Sequence, residues 1–148
     1  MKDEYRGIPS KVSALRHAMN EFLIYRMRKA GWSEISPSHG GIINALLRSD
    51  TLSMKEIADR VKRDPSTITT LVNKLVKLGY AEYKRNPEDM RSKQVSLTAK
   101  GRELYDEFES ISLDLTNALL DGLNDEDMDR FMSVMEKMEE NVKERTNG

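Results

Sequence analysis

The stretch of sequence that decides the fold runs from Ser53 to Gly101 and reads SMKEIADRVKRDPSTITTLVNKLVKLGYAEYKRNPEDMRSKQVSLTAKG. It opens with a Ser-x-x-Glu capping box, which predicts a helix that begins near Met54. After a short charged interruption, Asp64 followed by Pro65 predicts a second helix. Asp accepts hydrogen bonds from the free N–H groups of a first turn, and Pro suits the first helical position. Gly79 ends this second helix, so the stretch predicts two short helices joined by a turn.

The second predicted helix has two different faces. Its apolar residues recur at the spacing of one buried stripe and are Ile68, Leu71, Val72 and Leu75. Its opposite face carries hydroxyls, an amide and cations but no carboxylate, and consists of Ser66, Thr67, Thr69, Thr70, Asn73, Lys74 and Lys77. Such side chains can reach the base edges or phosphates of DNA. An ordinary solvated helix face has the same composition, so this alternative stays open for the helix taken alone.

A β-hairpin is predicted after the second helix. Residues 80–85 read as a strand, residues 86–89 (Asn-Pro-Glu-Asp) carry strong turn signals, and residues 94–97 return with period-two alternation. The hairpin is basic around its tip, through Lys84, Arg85, Arg91 and Lys93. A charged loop is usually only solvated surface, but directly after a helix-turn-helix it indicates a wing that follows the DNA backbone or enters the minor groove. The predicted fold class is therefore mostly α with a small β-hairpin wing, a winged helix-turn-helix.

These residues together resemble the MarR (multiple antibiotic resistance regulator) family. The runs that carry the resemblance are Asp64 to Thr69, Leu71 to Leu75, Gly79-Tyr80, Asn86 to Lys93 and Val95 to Gly101. The resemblance implies a prokaryotic, homodimeric, sequence-specific DNA-binding regulator of transcription, most often a repressor, whose second helix enters the major groove. It also implies that Arg91 reaches the minor groove, with Asp89 holding its guanidinium in place.

Two residues depart from the family pattern. The family wing commonly reads Asp-Arg-Arg, and Met90 occupies the middle position here. The departure implies one phosphate contact fewer, and with it weaker or less salt-dependent binding. Lys62 stands where the family often has Gly in the turn between the two helices, a position that would bring a non-Gly residue toward positive φ.

The chain as a whole, residues 1–148, is predicted to form a single domain with the winged helix at its centre. Composition is ordinary for a helix-rich protein, with 33% charged and 38% hydrophobic residues. We assign a DNA-binding lobe to residues 36–102 and dimerisation helices to residues 10–35 and 103–146. Ser36-Pro37 is expected to cap the helix that opens the lobe.

Amphipathic segments on both sides of the lobe predict a dimer. A long helix is expected from Thr98 to Gly122, followed by another that Asn124 caps. The apolar stripe of the last helix consists of Met128, Phe131, Met132, Met135, Met138 and Val142. Because one lobe cannot cover so much apolar surface, we expect these helices to intertwine with a second copy, which would space two reading helices about one DNA turn apart. The alternative is a stripe that packs within its own chain. Only the ends, Met1 to Pro9 and Arg145 to Gly148, look loose.

Charge is distributed unevenly along the chain. Residues 51–102 carry 12 basic and 6 acidic side chains, a net charge of +6, whereas residues 103–148 carry 4 and 14, a net charge of −10. The positive charge thus coincides with the predicted DNA-binding face. Cysteine is absent, which excludes disulfides and thiol-based sensing, and neither a signal-peptide core nor a long apolar run occurs. We therefore expect a cytoplasmic protein.

Other functions find weaker support in the sequence. Candidates for binding a small aromatic or anionic effector, which the resemblance implies, are Arg16, His17, Tyr25, Trp32 and His39, although core and rim roles fit them equally. His17 and His39 lie on different predicted helices without metal-ligand spacing, so a metal-responsive regulator is a lesser alternative, and His39 is expected at the surface or in a capping region. No nucleophile elbow or phosphate-binding loop occurs, so we expect neither an enzyme nor a cofactor. The strongest rival is a winged helix that binds a protein.

Overall fold

The computed structural model describes residues 2–146, which are mostly helical with a small antiparallel sheet. Its elements, after a 3₁₀ turn at Asp3–Gly7, are α1 (Ile8–Lys29), α2 (Pro37–Leu47), β1 (Leu52–Ser53), α3 (Met54–Val61), α4 (Pro65–Lys77), β2 (Ala81–Arg85), β3 (Lys93–Leu97), α5 (Ala99–Arg102), α6 (Tyr105–Leu120) and α7 (Asp125–Thr146). The predicted fold class, a winged helix-turn-helix with flanking helices, is confirmed.

Local sequence signals start α3 as predicted, and the turn that follows is unusual. The Ser53 hydroxyl accepts from the backbone N–H of Glu56 at 3.2 Å, and the Glu56 carboxylate accepts from the N–H of Ser53 at 2.7 Å. These two bonds complete the capping box. Lys62 ends α3 in the left-handed conformation, with φ 55° and ψ 48°. A lysine therefore adopts the backbone geometry that glycine would adopt more readily at this turn.

The boundaries of α4 also follow the predicted signals. The Asp64 carboxylate accepts from the backbone N–H of Thr67 at 2.9 Å, which satisfies one of the free donors at the helix start. At the other end Gly79 has φ 80°, and the N–H of Tyr80 turns back to the carbonyl of Leu75 at 2.9 Å. This arrangement is a glycine-dependent helix end. It turns the chain directly into β2.

The sheet has the strand order β1-β3-β2 and is antiparallel throughout. The predicted hairpin is present, and its register pairs Tyr83 with Val95 and Arg85 with Lys93. Strand β1 was not predicted, because two residues are too few to show an alternating pattern. It pairs Leu52 with Val95 and so ties the start of the helix-turn-helix to the wing.

The single helix predicted from Thr98 to Gly122 is wrong, because two helices cover this segment. Thr98 caps α5, since its hydroxyl accepts from the N–H of Gly101 at 3.1 Å and donates to the Gly79 carbonyl at 2.6 Å. The four-residue α5 is thereby fixed to the end of α4. A turn follows, in which the N–H of Leu104 bonds three residues back, to Gly101, and α6 begins at Tyr105. The break lets α6 pack Phe108 into the core while α5 stays on the hairpin.

The ends of the chain are more ordered than predicted. Residues 3–9 are not loose, since the 3₁₀ turn leads into α1 at Ile8, and Pro9 occupies the first turn, where proline is well suited. Helix α7 continues through Thr146, so residues 145 and 146 are helical as well. Met1, Asn147 and Gly148 lie outside the described residues.

The core lies where α2, α3, α4 and the sheet meet. Its most deeply buried apolar side chains are Ile42, Ile43, Leu46, Ile57, Ile68, Val72, Leu75 and Val95. Trp32 and Phe108 extend this core, with ring centroids 4.7 Å apart. Arg26 Nη2 pairs with Asp114 Oδ2 at 2.5 Å between α1 and α6.

The chain divides after Leu115 into two compact units, and α7 belongs to the second. None of the helices in the described range has the length and apolarity that a bilayer span requires.

We expect the substitution Gly101→Ala to destabilise the lobe. The added Cβ would lie 2.1 Å from the carbonyl oxygen of Tyr80, a backbone atom that cannot move aside alone. Overpacking of this kind costs about 1–3 kcal/mol. Urea unfolding followed by circular dichroism measures the change. Gly7→Ala is the matched control, since nothing lies within 4 Å of its added Cβ. Equal urea midpoints for Gly101→Ala and the parent protein would contradict the close approach.

Candidate nucleic-acid interface

The sequence-predicted DNA-binding residues lie on two neighbouring parts of one structural unit. The polar face of α4, which we call the reading face, consists of Ser66, Thr67, Thr69, Thr70, Asn73, Lys74 and Lys77. The wing, β2 with β3 and their loop, carries Lys84, Arg85, Asp89, Arg91 and Lys93. All of these residues are exposed except Thr67, which is half-buried. Strand β2 packs next to α4, so both parts belong to one surface.

Hydroxyl groups on the reading face are already hydrogen-bonded, either within α4 or to Asp64, the residue that caps it. Ser66 Oγ and Thr67 Oγ1 donate to the Asp64 carboxylate at 2.5 and 2.6 Å. The hydroxyls of Thr69 and Thr70 each donate to the main-chain carbonyl four residues earlier, at 2.9 and 3.2 Å. Each hydroxyl therefore presents oxygen lone pairs, and the threonines also their methyl groups. These lone pairs can accept hydrogen bonds from the amino groups of adenine and cytosine, and the threonine methyl groups can contact the methyl group of thymine. A phosphate, in contrast, requires a hydrogen-bond donor.

The start of α4 is therefore a poor phosphate site. Hydrogen bonds from Ser66, and then from Thr67, hold the pKa of Asp64 well below its usual range, so this carboxylate is ionised at neutral pH. Its negative charge occupies the end of the helix where a phosphate would otherwise bind. Exposed cations lie farther along α4, at Lys74 and Lys77, and on the wing.

The cations of the wing differ in how much of their charge is compensated. Lys84 Nζ lies 3.5 Å from Glu82 Oε1, and Lys93 Nζ lies over the ring of Tyr83 at 5.2 Å from its centroid. Arg85 and Arg91 are exposed. An exposed pair such as Lys84 with Glu82 contributes little to stability and separates easily when DNA arrives.

The loop at the tip of the wing is ordered by hydrogen bonds from its own side chains. Asn86 Oδ1 accepts from the N–H of Glu88 at 3.0 Å, and Asn86 Nδ2 donates to Ser92 Oγ at 3.0 Å. Asp89 Oδ1 accepts from the backbone N–H of Arg91 at 2.9 Å. This contact differs from the guanidinium contact that the resemblance implies, because the turn brings the main chain of Arg91 closest to the carboxylate. Met90 is 70% exposed at the tip and adds no charge there.

Two of the predicted effector-binding residues, Trp32 and His39, are buried. Trp32 is 8% exposed and stacks on Phe108. His39 lies in the capping region, one of the two positions expected from the sequence: its Nδ1 accepts from the backbone N–H of Ser36 at 3.1 Å, and its side chain is 6% exposed. Burial, and after it the charge of Lys74, lowers the pKa of His39, which is neutral at pH 7. Its Nε2 is buried without a hydrogen-bond partner in the described part of the chain.

The other three effector candidates are not gathered into one site. Arg16 and His17 line an open groove of about 780 Å³ along α1, which Arg63 also borders. Tyr25 does not line it, and its ring instead lies 4.9 Å from Lys29 Nζ. Control by an aromatic or anionic effector therefore stays a prediction, and Arg16 and Arg63 are the guanidinium groups at this groove that would suit an anion.

Sequence reasoning missed an apolar crevice and an ordering contact. The crevice, about 240 Å³, is lined in part by Leu23, Met27, Gly40 and Phe108, which come from three helices and so carry no signal in a single periodic stripe. The contact is a hydrogen bond at 2.6 Å from the Tyr83 hydroxyl to Asn73 Oδ1, which joins the wing to the reading face.

Nowhere in residues 2–146 do three or more histidine or carboxylate side chains gather as a metal ion would need.

The sequence profile of the MarR family matches residues 33–92, from just before α2 to the loop of the wing. The HTH-type transcriptional regulator YwhA of Bacillus subtilis is 25% identical over 133 residues, which are 86% of this chain and 94% of YwhA. The HTH-type transcriptional regulator SarZ of Staphylococcus saprophyticus is 33% identical over 76 residues, 51% of this chain and 52% of SarZ. The chain thus spans about half the length of SarZ in that match.

Among solved structures, a mutant of Escherichia coli MarR, complexed with operator DNA, has a TM-score of 0.82 to this chain. The alignment covers 92% of this chain and 96% of that chain, at 17% sequence identity. At that identity the likeness concerns the fold. The reading face and the wing therefore lie in a fold that has been seen bound to an operator in another protein.

Proposed function

Because the chain belongs to the MarR family of DNA-binding transcriptional regulators through its winged-helix segment, residues 33–92, we propose that it acts as a homodimeric repressor on a palindromic operator. The observation that carries the proposal is the common surface of the reading face and the wing, which lie within residues 51–102, a stretch with a net charge of +6. Such a surface offers base-reading groups at its centre and phosphate-binding cations around them. With chromosomal DNA as its partner, the protein would work in the cytoplasm.

In the proposed complex α4 lies in the major groove and the wing follows the backbone. Hydroxyl oxygens and threonine methyls of α4 face base edges, and Lys74 and Lys77 lie nearer the phosphates. Arg91 would reach the minor groove, since the turn of the wing holds its backbone while its side chain is exposed. Met90 at the tip would contribute no phosphate contact.

Support for a second copy comes from α7. This 22-residue helix has no buried residue, and Phe131, Met132 and Val142 are 45%, 54% and 65% exposed. An apolar stripe of this length is covered by a partner in most soluble proteins. A second copy related by a twofold axis is the simplest partner, and it would present two reading faces to two half-sites of a palindrome.

Selection of bound duplexes from a random pool, with affinity for the winning sequence measured at about 50 and about 200 mM salt, tests the proposal. We expect a palindrome with half-sites about one helical turn apart. Because several phosphates are neutralised, affinity should fall by about 10³-fold or more between the two salts. A protein-binding winged helix would instead select no sequence and bind DNA weakly. The absence of an enriched motif would therefore overturn the proposal.

The substitution Arg91→Ala should weaken operator binding by about 1–3 kcal/mol per half-site, because it removes the proposed minor-groove contact. Fluorescence anisotropy with the selected duplex measures the loss. Arg130→Ala, on α7, is the matched control, since it removes the same charge outside the lobe. Equal affinity of the Arg91 variant and the control would refute the role of the wing.

Replacing Met135 and Met138 together by Glu should give monomers, because four charged side chains would meet at the twofold interface. Sedimentation velocity reports the change, and circular dichroism checks that the helix remains. Ser133→Glu combined with Lys137→Glu is the control, as these residues lie on the opposite face of α7 by helical spacing. A sedimentation coefficient that stays the same in the methionine variant would rule out this interface.

A further inference from the structure

One hydrogen bond joins the wing to the reading face. The hydroxyl of Tyr83, on β2, donates to Oδ1 of Asn73, on α4, at 2.6 Å. Asn73 is exposed and Tyr83 is half-buried, so a partly enclosed ring contacts the one amide of the reading face. An asparagine side chain has two distinct ends, an acceptor oxygen and a donor NH₂ group. A residue that hydrogen-bonds only to the oxygen therefore leaves the NH₂ group as the end that faces DNA.

We propose that Tyr83 is a positioning residue for base recognition, which orients the Asn73 amide so that its NH₂ group faces a purine in the major groove. The inference rests on the proposed function and adds a specificity rule to it. Both purines present the N7 acceptor, and guanine adds a second acceptor, O6. Guanine is therefore the base that best matches the two N–H groups.

The surroundings of Tyr83 make it a stable support. It pairs with Val95 in the central strand of the sheet, and Val95 is fully buried, which fixes the backbone of Tyr83. Lys93 Nζ lies 5.2 Å from the ring centroid. Burial raises the pKa of the Tyr83 hydroxyl, so the proton that it donates is retained at any physiological pH.

The neighbouring side chains give Asn73 a distinct role. The hydroxyl protons of Ser66, Thr69 and Thr70 are engaged inside the lobe, so these residues face DNA as acceptors. Asn73 supplies a neutral donor one turn farther along α4, where Lys74 supplies a charged one. The reading face is thereby divided into an acceptor part near its start and a donor part around Asn73. We expect bases with amino groups under the first part and guanine under the second.

The test compares duplex selection profiles for the parent chain, residues 1–148, and for its variants Asn73→Ala, Tyr83→Phe and Tyr80→Phe. Asn73→Ala identifies the base pair that Asn73 reads, as the one position in each half-site that loses its preference. Tyr83→Phe should relax the same position about tenfold and leave the other positions and the salt dependence unchanged. Tyr80→Phe, which removes another tyrosine hydroxyl from the same lobe, should keep the parent profile. Thermal unfolding of each variant checks that the lobe is folded.

Three results would separate the two proposals. Loss of the same guanine preference in Asn73→Ala and Tyr83→Phe, but not in Tyr80→Phe, supports the positioning role. The inference is overturned if Tyr83→Phe keeps the parent motif or relaxes it at another position, and also if Asn73→Ala keeps the parent motif. In these cases the DNA-binding proposal stands. A parent protein that selects no motif overturns both.

Discussion

The cap that Asp64 provides at the start of α4 is the contact on which the rest of the interface depends. By accepting from the backbone and hydroxyl of Thr67 and the hydroxyl of Ser66, it fixes the residue at which the helix begins. Along the helix, the spacing of Ile68, Leu71, Val72 and Leu75 places these side chains toward the core and the reading face on the opposite side. The same carboxylate accepts hydrogen bonds from two hydroxyls and places a negative charge where a phosphate would otherwise bind, so one residue sets both the start of the helix and the chemistry of the surface.

Most of the fold was predictable because its boundaries are set by short-range chemistry. A capping box at Ser53, a proline after Asp64 and a glycine at position 79 each act within four residues, and each lies where the sequence indicated. The errors concern contacts between distant parts of the chain. The break after α5 arises because Thr98 binds the carbonyl of Gly79, and β1 exists only because β3 lies beside it.

The candidate site was predictable as a set of residues but not as an arrangement of donors and acceptors. Residue types alone suggest that the hydroxyls could bind bases or phosphates, and only the structure shows that they already donate to carbonyls of the helix. Trp32 and His39 illustrate a related limit. Aromatic and imidazole groups suit a ligand and a core equally well, and only the structure shows that Trp32 packs on Phe108 and that His39 caps the helix at Ser36. Tyr83 could not be assigned because its partner lies ten residues away on another element.

The internal hydrogen bonds of the reading face also determine how much side-chain entropy is lost on folding and how much is lost on DNA binding. Hydroxyl rotors and the Asn73 amide are held in place before DNA arrives, so their ordering accompanies folding and not association. Ordering a flexible side chain at an interface costs about 0.5–1.5 kcal/mol. The residues that would still lose freedom on the duplex are the long, exposed cations, Lys74, Lys77 and Arg91. In the proposed complex, the exposed cations around a preorganised centre would allow binding to any DNA, and tight binding would require the bases that fit the centre.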